Sequence, residues 1–134
     1  MHSFSSYSFL RRVLALDAVS SGGMGLALIT FAPLLGSWLN LPTELLRQSG
    51  IVLLPFAAFV GYLASREQPS RVATWVVVAL NAVWTIDSVL LLMSDWIAPN
   101  ALGYAFVIGQ AVIVGIFAEL QFIGLRRANK PVTA

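Results

Sequence analysis

Apolar residues gather in four long runs, at about 13–35, 45–64, 72–93 and 102–125, separated by short polar stretches. Each run is close to the ~20 residues that an α-helix needs to cross the hydrocarbon core of a bilayer. The pattern predicts an all-α fold, with four transmembrane helices in one integral membrane domain over residues 1–134. The connections carry helix punctuation. "NLPTE", "EQPSR" and "DWIAPN" place Pro42, Pro69 and Pro99 where spans two, three and four should open, and a proline in the first turn forfeits no helical hydrogen bond. Short links between consecutive helices make them antiparallel neighbours, so the expected bundle is up-down-up-down. Pro55, in mid span two, removes one backbone bond and is expected to kink that helix.

The runs also suggest an internal repeat. "ALDAV" at 15–19 resembles "ALNAV" at 79–83, and "FVGYL" at 59–63 resembles "FIGLR" at 122–126. The order is the same and the offsets nearly agree, as two tandem helical hairpins would give, related about an axis along the membrane normal. Asp17 lies five residues after Arg12, whereas Asn81 lies ten after Arg71. Their depths match only if the first helix begins before its arginines.

Composition names the solvent. The chain is 58% hydrophobic and 10% charged, against about 25% charged in soluble domains, so the lipid bilayer is the expected partner. The net charge of +2 comes from loop arginines and reads as a topology signal, with no nucleic-acid footprint. Arg11, Arg12, Arg66, Arg71, Arg126, Arg127 and Lys130 fall on one side, and Arg47 alone on the other. Basic residues concentrate on the cytoplasmic side. Both termini are therefore expected in the cytoplasm, with the chain in the cell inner (cytoplasmic) membrane. Trp38 and Trp96 suit the outer interface, Tyr7 and Tyr62 the inner one. "SFLRRVLAL" is similar to a twin-arginine export signal, but Asp17 interrupts its apolar stretch and no A-x-A site follows, so it reads as the flank of a retained span. There is no cysteine, and the single histidine, His2, is terminal. Disulfides, thiol catalysis and histidine-ligated haem or zinc inside the bundle are excluded, and no cofactor or metal is expected.

Polar residues inside the spans are the candidate chemistry. In "LDAVSSGGMG", at 16–25, a helical turn of about 100° per residue puts Asp17, Ser20, Ser21 and Met24 on one face. Asn81, Trp84, Thr85 and Ser88 form the matching face of span three, with Thr74 a further member. Two such stripes should point inward, toward each other. Asp17, Ser20, Ser21, Asn81, Thr85 and Ser88 are the candidate ligand- or ion-binding residues. The glycines have a separate use. Ala18–Gly22 and Ser21–Gly25 are small-xxx-small pairs that let helices approach closely, whereas a phosphate-binding loop would need a following Lys-Ser/Thr.

Ionisable groups within a span mark function by default. Asp17, in the cytoplasmic third of span one, and Glu119, at a similar depth in span four, are candidate proton-coupled carboxylates. Two buried carboxylates side by side cannot both ionise cheaply, so such a pair would hold a proton. The simpler alternative has each acid either reaching the interface or capped by a nearby arginine, Arg11 or Arg12 for Asp17 and Arg126 or Arg127 for Glu119. Asp87 has no basic neighbour in sequence, and Arg47 is its expected structural partner across spans two and three. In span four, Gln110, Gln121, Gly103 and Gly124 share one face, with Glu119 and Gly115 nearly opposite. One of these faces would then meet a second subunit or a membrane-protein partner.

Words such as "GIVLLPFAAFVGYLASR" and "FAELQFIGLRR" resemble small four-span bacterial integral membrane proteins of unassigned function, a resemblance that covers the whole chain and implies no catalytic motif. Small multidrug exporters and dual-topology fluoride channels are similar in size only. The former use a glutamate in span one and antiparallel dimers, which the charge bias disfavours. The latter need an arginine that is absent after "GGMG". The expected function is binding or moving a small solute or ion through a polar bundle interior, without enzymatic activity. An accessory or scaffold role in a larger complex, as a homo-oligomer or with a partner, is the alternative. An enzyme would have to work with carboxylates alone, since no histidine, cysteine or Gly-x-Ser-x-Gly turn is available.

Overall fold

The computed structural model describes the backbone of residues 2–128 and the side chains of 7–128. Lys130 and the His2 side chain lie outside the described residues. The chain forms α1 (His2–Thr30), α2 (Ala32–Leu39), α3 (Thr43–Ser65), α4 (Arg71–Met93) and α5 (Ala101–Ala128). All but α2 are long and apolar enough to cross a membrane, and there is no strand among the described residues. This is the expected all-α, four-span bundle.

The first span differs from the sequence reading at both ends. α1 begins well before Arg11 and stops at Thr30, short of the expected residue 35. The cause of the stop is Pro33, which lacks an N–H and whose ring meets the carbonyl four residues back. The chain steps at Phe31 (φ −112°, ψ 21°) and resumes as α2, with Pro33 in its first turn. Asn40 then ends α2 in the left-handed region (φ 55°), a conformation that asparagine tolerates better than most residues. The early start of α1 puts Asp17 near the middle of its 24-residue span, deeper than the cytoplasmic third, and level with Asn81. Pro42 and Pro69 sit just outside the helices they introduce. Pro42 is the N-cap of α3. The N-cap of α4 is Ser70, whose Oγ accepts from the Ala73 N–H at 3.2 Å. α3 runs on through the exposed Pro55 as one helix.

Packing divides the bundle into two hairpins. α1 lies along α3, α4 lies along α5, and α1 against α5 joins the two, while α3 and α4 barely touch. Ties at each end hold this arrangement. At the end that carries both chain termini, Arg11 Nε donates to the Ala64 carbonyl at the close of α3 (3.2 Å), and Arg71 Nη1 donates to the Leu125 carbonyl of α5 (3.5 Å). A cation suits the C-terminal end of each helix. At the opposite end the hairpin turns clasp. Asn100 Nδ2 donates to the Trp38 carbonyl (2.8 Å), Asn100 Oδ1 accepts from the Gly103 N–H (2.8 Å), and Asn40 Nδ2 donates to the Ala98 carbonyl.

Burial tests the repeat. At the offset of 64 residues, Leu10 matches Thr74, Val13 matches Val77 and Asp17 matches Asn81, and all six are buried. The second pair of helices follows a different offset. Leu46, Val60 and Leu63 are buried as are Val107, Gln121 and Gly124, each 61 residues later. "FVGYL" and "FIGLR" are therefore not equivalent, because Val60 is buried and Ile123 is 41% exposed. The outward faces carry large apolar side chains, such as Val19, Val72 and Met93, each more than 70% exposed. An apolar surface this extensive needs lipid cover, as in a multi-pass membrane protein.

Candidate functional site

Two apolar clusters fill the ends of the bundle. Leu10, Leu14, Val60 and Leu63 belong to the one near the chain termini, and Leu28, Leu46, Leu53 and Val107 to the one near α2. Between them lies a polar layer built by three helices. Asp17 of α1, Asn81 of α4 and Gln121 of α5 are 1%, 3% and 0% exposed. Asp17 Oδ2 accepts from Asn81 Nδ2 (2.9 Å) and from Gln121 Nε2 (2.7 Å), and Oδ1 accepts from Ser21 Oγ (2.9 Å). The second hydrogen of Asn81 Nδ2 goes to Gln121 Oε1 (2.9 Å), closing the ring. The donors converge on a group that, as a carboxylate, only accepts. Among the described residues no buried side-chain nitrogen or oxygen lacks a partner, as a low-dielectric interior demands.

A second network stands one to two turns toward α2. Trp84 Nε1 donates to Gln110 Oε1 (2.7 Å), and Gln110 Nε2 donates to Ser88 Oγ (2.9 Å). Between the two networks and the α2 end, the helices border a partly open cavity of about 330 Å³. Asp17, Ser20 and Ser21 form its floor. Trp84, Ser88 and Gln110 line one wall, and Ser49 and Leu45 of α3 line another. The rest of the lining is leucine, methionine, valine, isoleucine and phenylalanine, with no Lys, Arg or His. Among the described residues no three His, Cys, Asp or Glu side chains converge as a metal site.

Of the six candidate binding residues, Asp17, Ser20, Ser21 and Ser88 line this cavity, and Asn81 lies beneath it as a partner of Asp17. Thr85 is elsewhere. Its hydroxyl donates to the Asn81 carbonyl (3.0 Å) and its methyl packs 3.6 Å from the Cβ position of Gly115 on α5. It is a helix-packing residue, a correction to its place in the predicted site.

The two acid pairings are also corrected. Asp17 and Glu119 do not meet. Asp17 reaches Gln121, and Glu119 lies two residues away, about 200° around the helix, on the exposed face of α5. Nor does an arginine cap Asp17, whose hydrogen-bond partners are Ser21, Asn81 and Gln121. Arg126 and Arg127 lie over the rings of Phe122 and Phe9. Arg47 forms an ion pair with Glu44 on its own helix and does not reach Asp87. It projects about 200° around α3 from Ser49, and Ser49 is the residue that lines the cavity. Asp87 is exposed, and no ion pair reaches it among the described residues.

The residues missing from the predicted site are Gln110, Gln121 and Trp84. Their signal was present. Gln110 and Gln121 are eleven residues apart, three turns, on the face shared with Gly103 and Gly124, and that face is the one turned inward. Neither protein-family models, nor curated proteins, nor solved structures give a match to this chain.

Proposed function

We propose that the protein binds a small solute or ion in the cavity between its hairpins and moves it through the polar interior of the bundle. The carrying observation is a cavity of about 330 Å³ with a buried, fully hydrogen-bonded carboxylate at its floor. Protein interiors are close-packed, and a purely structural core would fill this space with side chains. The volume is at the lower end of the range of small-molecule sites, about 300–1,000 Å³. The weak α3–α4 seam supplies a side that can open without breaking either hairpin. We place the protein in the cell inner membrane with both termini cytoplasmic, because Arg11, Arg12, Arg66, Arg71, Arg126 and Arg127 crowd one end and Arg47 stands alone at the other.

Ser49→Phe tests the cavity. Ser49 lines it and makes no described side-chain hydrogen bond, so a phenylalanine fills the space without orphaning a polar group. The expected outcome is an unchanged helical spectrum together with loss of the thermal stabilisation that a binding solute confers on the wild type in a screen of cations, anions and neutral molecules. A wild type that no solute stabilises, or a variant that still responds, rejects the proposal.

A second reading, an accessory subunit of a larger complex, is favoured by one observation. Asp87 and Glu119 are both exposed on span faces that otherwise meet lipid, where a charge costs about 2.5–3.5 kcal/mol by insertion scales. A partner that co-purifies in fixed stoichiometry and is lost with Glu119→Leu supports it, and a lone monomer rejects it.

A further inference from the structure

The charge of the cavity wall is one-sided. Asp17 is its ionisable residue, and no basic side chain lines it. The wall also carries Trp84, Phe106, Phe117 and the Met24 thioether. Aromatic faces attract cations, most strongly where water is excluded, and an anion entering here would meet a carboxylate with no cation beside it. The type of cation follows from the Asp17 oxygens. Oδ2 is occupied by two N–H donors and Oδ1 by a hydroxyl. A hard metal ion needs six or more oxygens close around it, which this floor does not offer. A diffuse positive charge on alkylated nitrogen needs no inner coordination sphere, and its apolar substituents suit the leucine- and phenylalanine-rich walls.

The α4 surface beside the cavity has the same sign. On α4, Asp87 falls between Trp84 and Leu91, which both line the cavity, and is turned from them by about 60° and 40°. It stands exposed beside the lining stripe, on the side away from Thr85, which packs on α5. That side borders the seam where α4 and α3 barely touch. Asp87 thus stands beside the α3–α4 seam, while Asp17 lines the cavity itself.

We propose that the cavity takes an organic cation with an apolar body, admitted through the α3–α4 seam past Asp87 and held with its charge toward Asp17 beside Trp84. This rests on reading the cavity as a solute site, and adds the class of solute. Benzyltrimethylammonium, benzenesulfonate and benzyl alcohol share a ring of one size and differ in charge. The test is calorimetric titration of each into the full chain in neutral detergent. The cation is expected to bind saturably and the other two at least about tenfold more weakly, with Asp17→Asn costing the cation about tenfold or more. Asp87→Asn should cost about threefold at low salt, and the difference should shrink as salt screens the exposed carboxylate. Equal binding of the sulfonate or the alcohol, cation binding indifferent to Asp17→Asn, or no cation binding overturns the assignment. The solute reading survives that failure if another solute stabilises the wild type and Ser49→Phe abolishes the effect, and falls with it if none does.

Discussion

Replacing Gly50 by leucine is expected to separate α1 from α3 and leave no stably folded bundle. In lipid, helices are held together largely by close packing at small residues, and Gly50 is the tightest such point between these two helices. A Cβ placed there would stand 2.7 Å from the Gly25 carbonyl oxygen, 2.8 Å from Ile29 Cγ1 and 3.1 Å from the Ile29 nitrogen. Two of these are backbone atoms, which cannot turn aside as a side-chain tip can. Gly50→Ala should already lower the unfolding free energy by about 1–3 kcal/mol, the usual cost of overpacking, and leucine adds three more carbons to the same clash. The control is Gly23→Ala. A Cβ at Gly23 has nothing within 4 Å, and alanine gains up to about 1 kcal/mol in helix propensity. Reversible unfolding in bicelles checks both. Equal stability of Gly50→Ala and Gly23→Ala would contradict the packing account.

The second large effect concerns Asp17. Asp17→Ala removes three hydrogen bonds and leaves donors on Asn81, Gln121 and Ser21 facing a void. At about 0.6 kcal/mol for each of the two interhelical bonds, and a similar amount for the Ser21 bond within α1, the loss should be about 2 kcal/mol. Asp17→Asn should cost less than about 1 kcal/mol, because its oxygen can keep facing Asn81 and Gln121 while its amide donates to the Ser21 hydroxyl, which also accepts. Unfolding of the two variants side by side measures the difference. If asparagine is as damaging as alanine, the negative charge holds the layer together and the hydrogen bonds do not.

The spans were legible in the sequence because lipid forces twenty-residue apolar runs into helices, and little else can produce them. The inward stripe on α1 was legible for a related reason, since an aspartate followed three and four residues later by serines has no place against lipid. Two boundaries of the first span lie elsewhere than its apolar run suggests. The apolar run at 13–35 continues through Pro33 without a change of hydropathy, so the break at Phe31 is invisible to a composition window and visible only to backbone chemistry. The start of α1 was hidden by Arg11 and Arg12, which look like a flank yet lie inside the helix. The partners of Asp17 were harder. Pairing it with Glu119 matched depth and ignored azimuth, and on a helix two residues are enough to exchange the core for the lipid. Gln121 carries no charge, so it gave a weaker signal than Glu119 while occupying the position that matters. Arg47 and Asp87 failed for the same azimuthal reason on α3.

Of the glycines in "LDAVSSGGMG", Gly25 alone is tight, its Cβ position lying 3.2 Å from the Gly50 carbonyl oxygen and 3.0 Å from Leu54 Cδ2. The stretch therefore carries two functions within little more than two helix turns. Gly25 sets the α1–α3 distance, and Asp17 with Ser21 builds the polar layer under the cavity.

On the proposed reading, the polar layer floors an occupied solute site. Native mass spectrometry of the protein, extracted in mild detergent from its own membrane, tests it most directly. A small molecule of constant mass is expected on the wild type and absent from Ser49→Phe and Asp17→Asn variants that retain the same helical content. A bare chain in all three samples, or a stoichiometric protein partner with no small molecule, would contradict it.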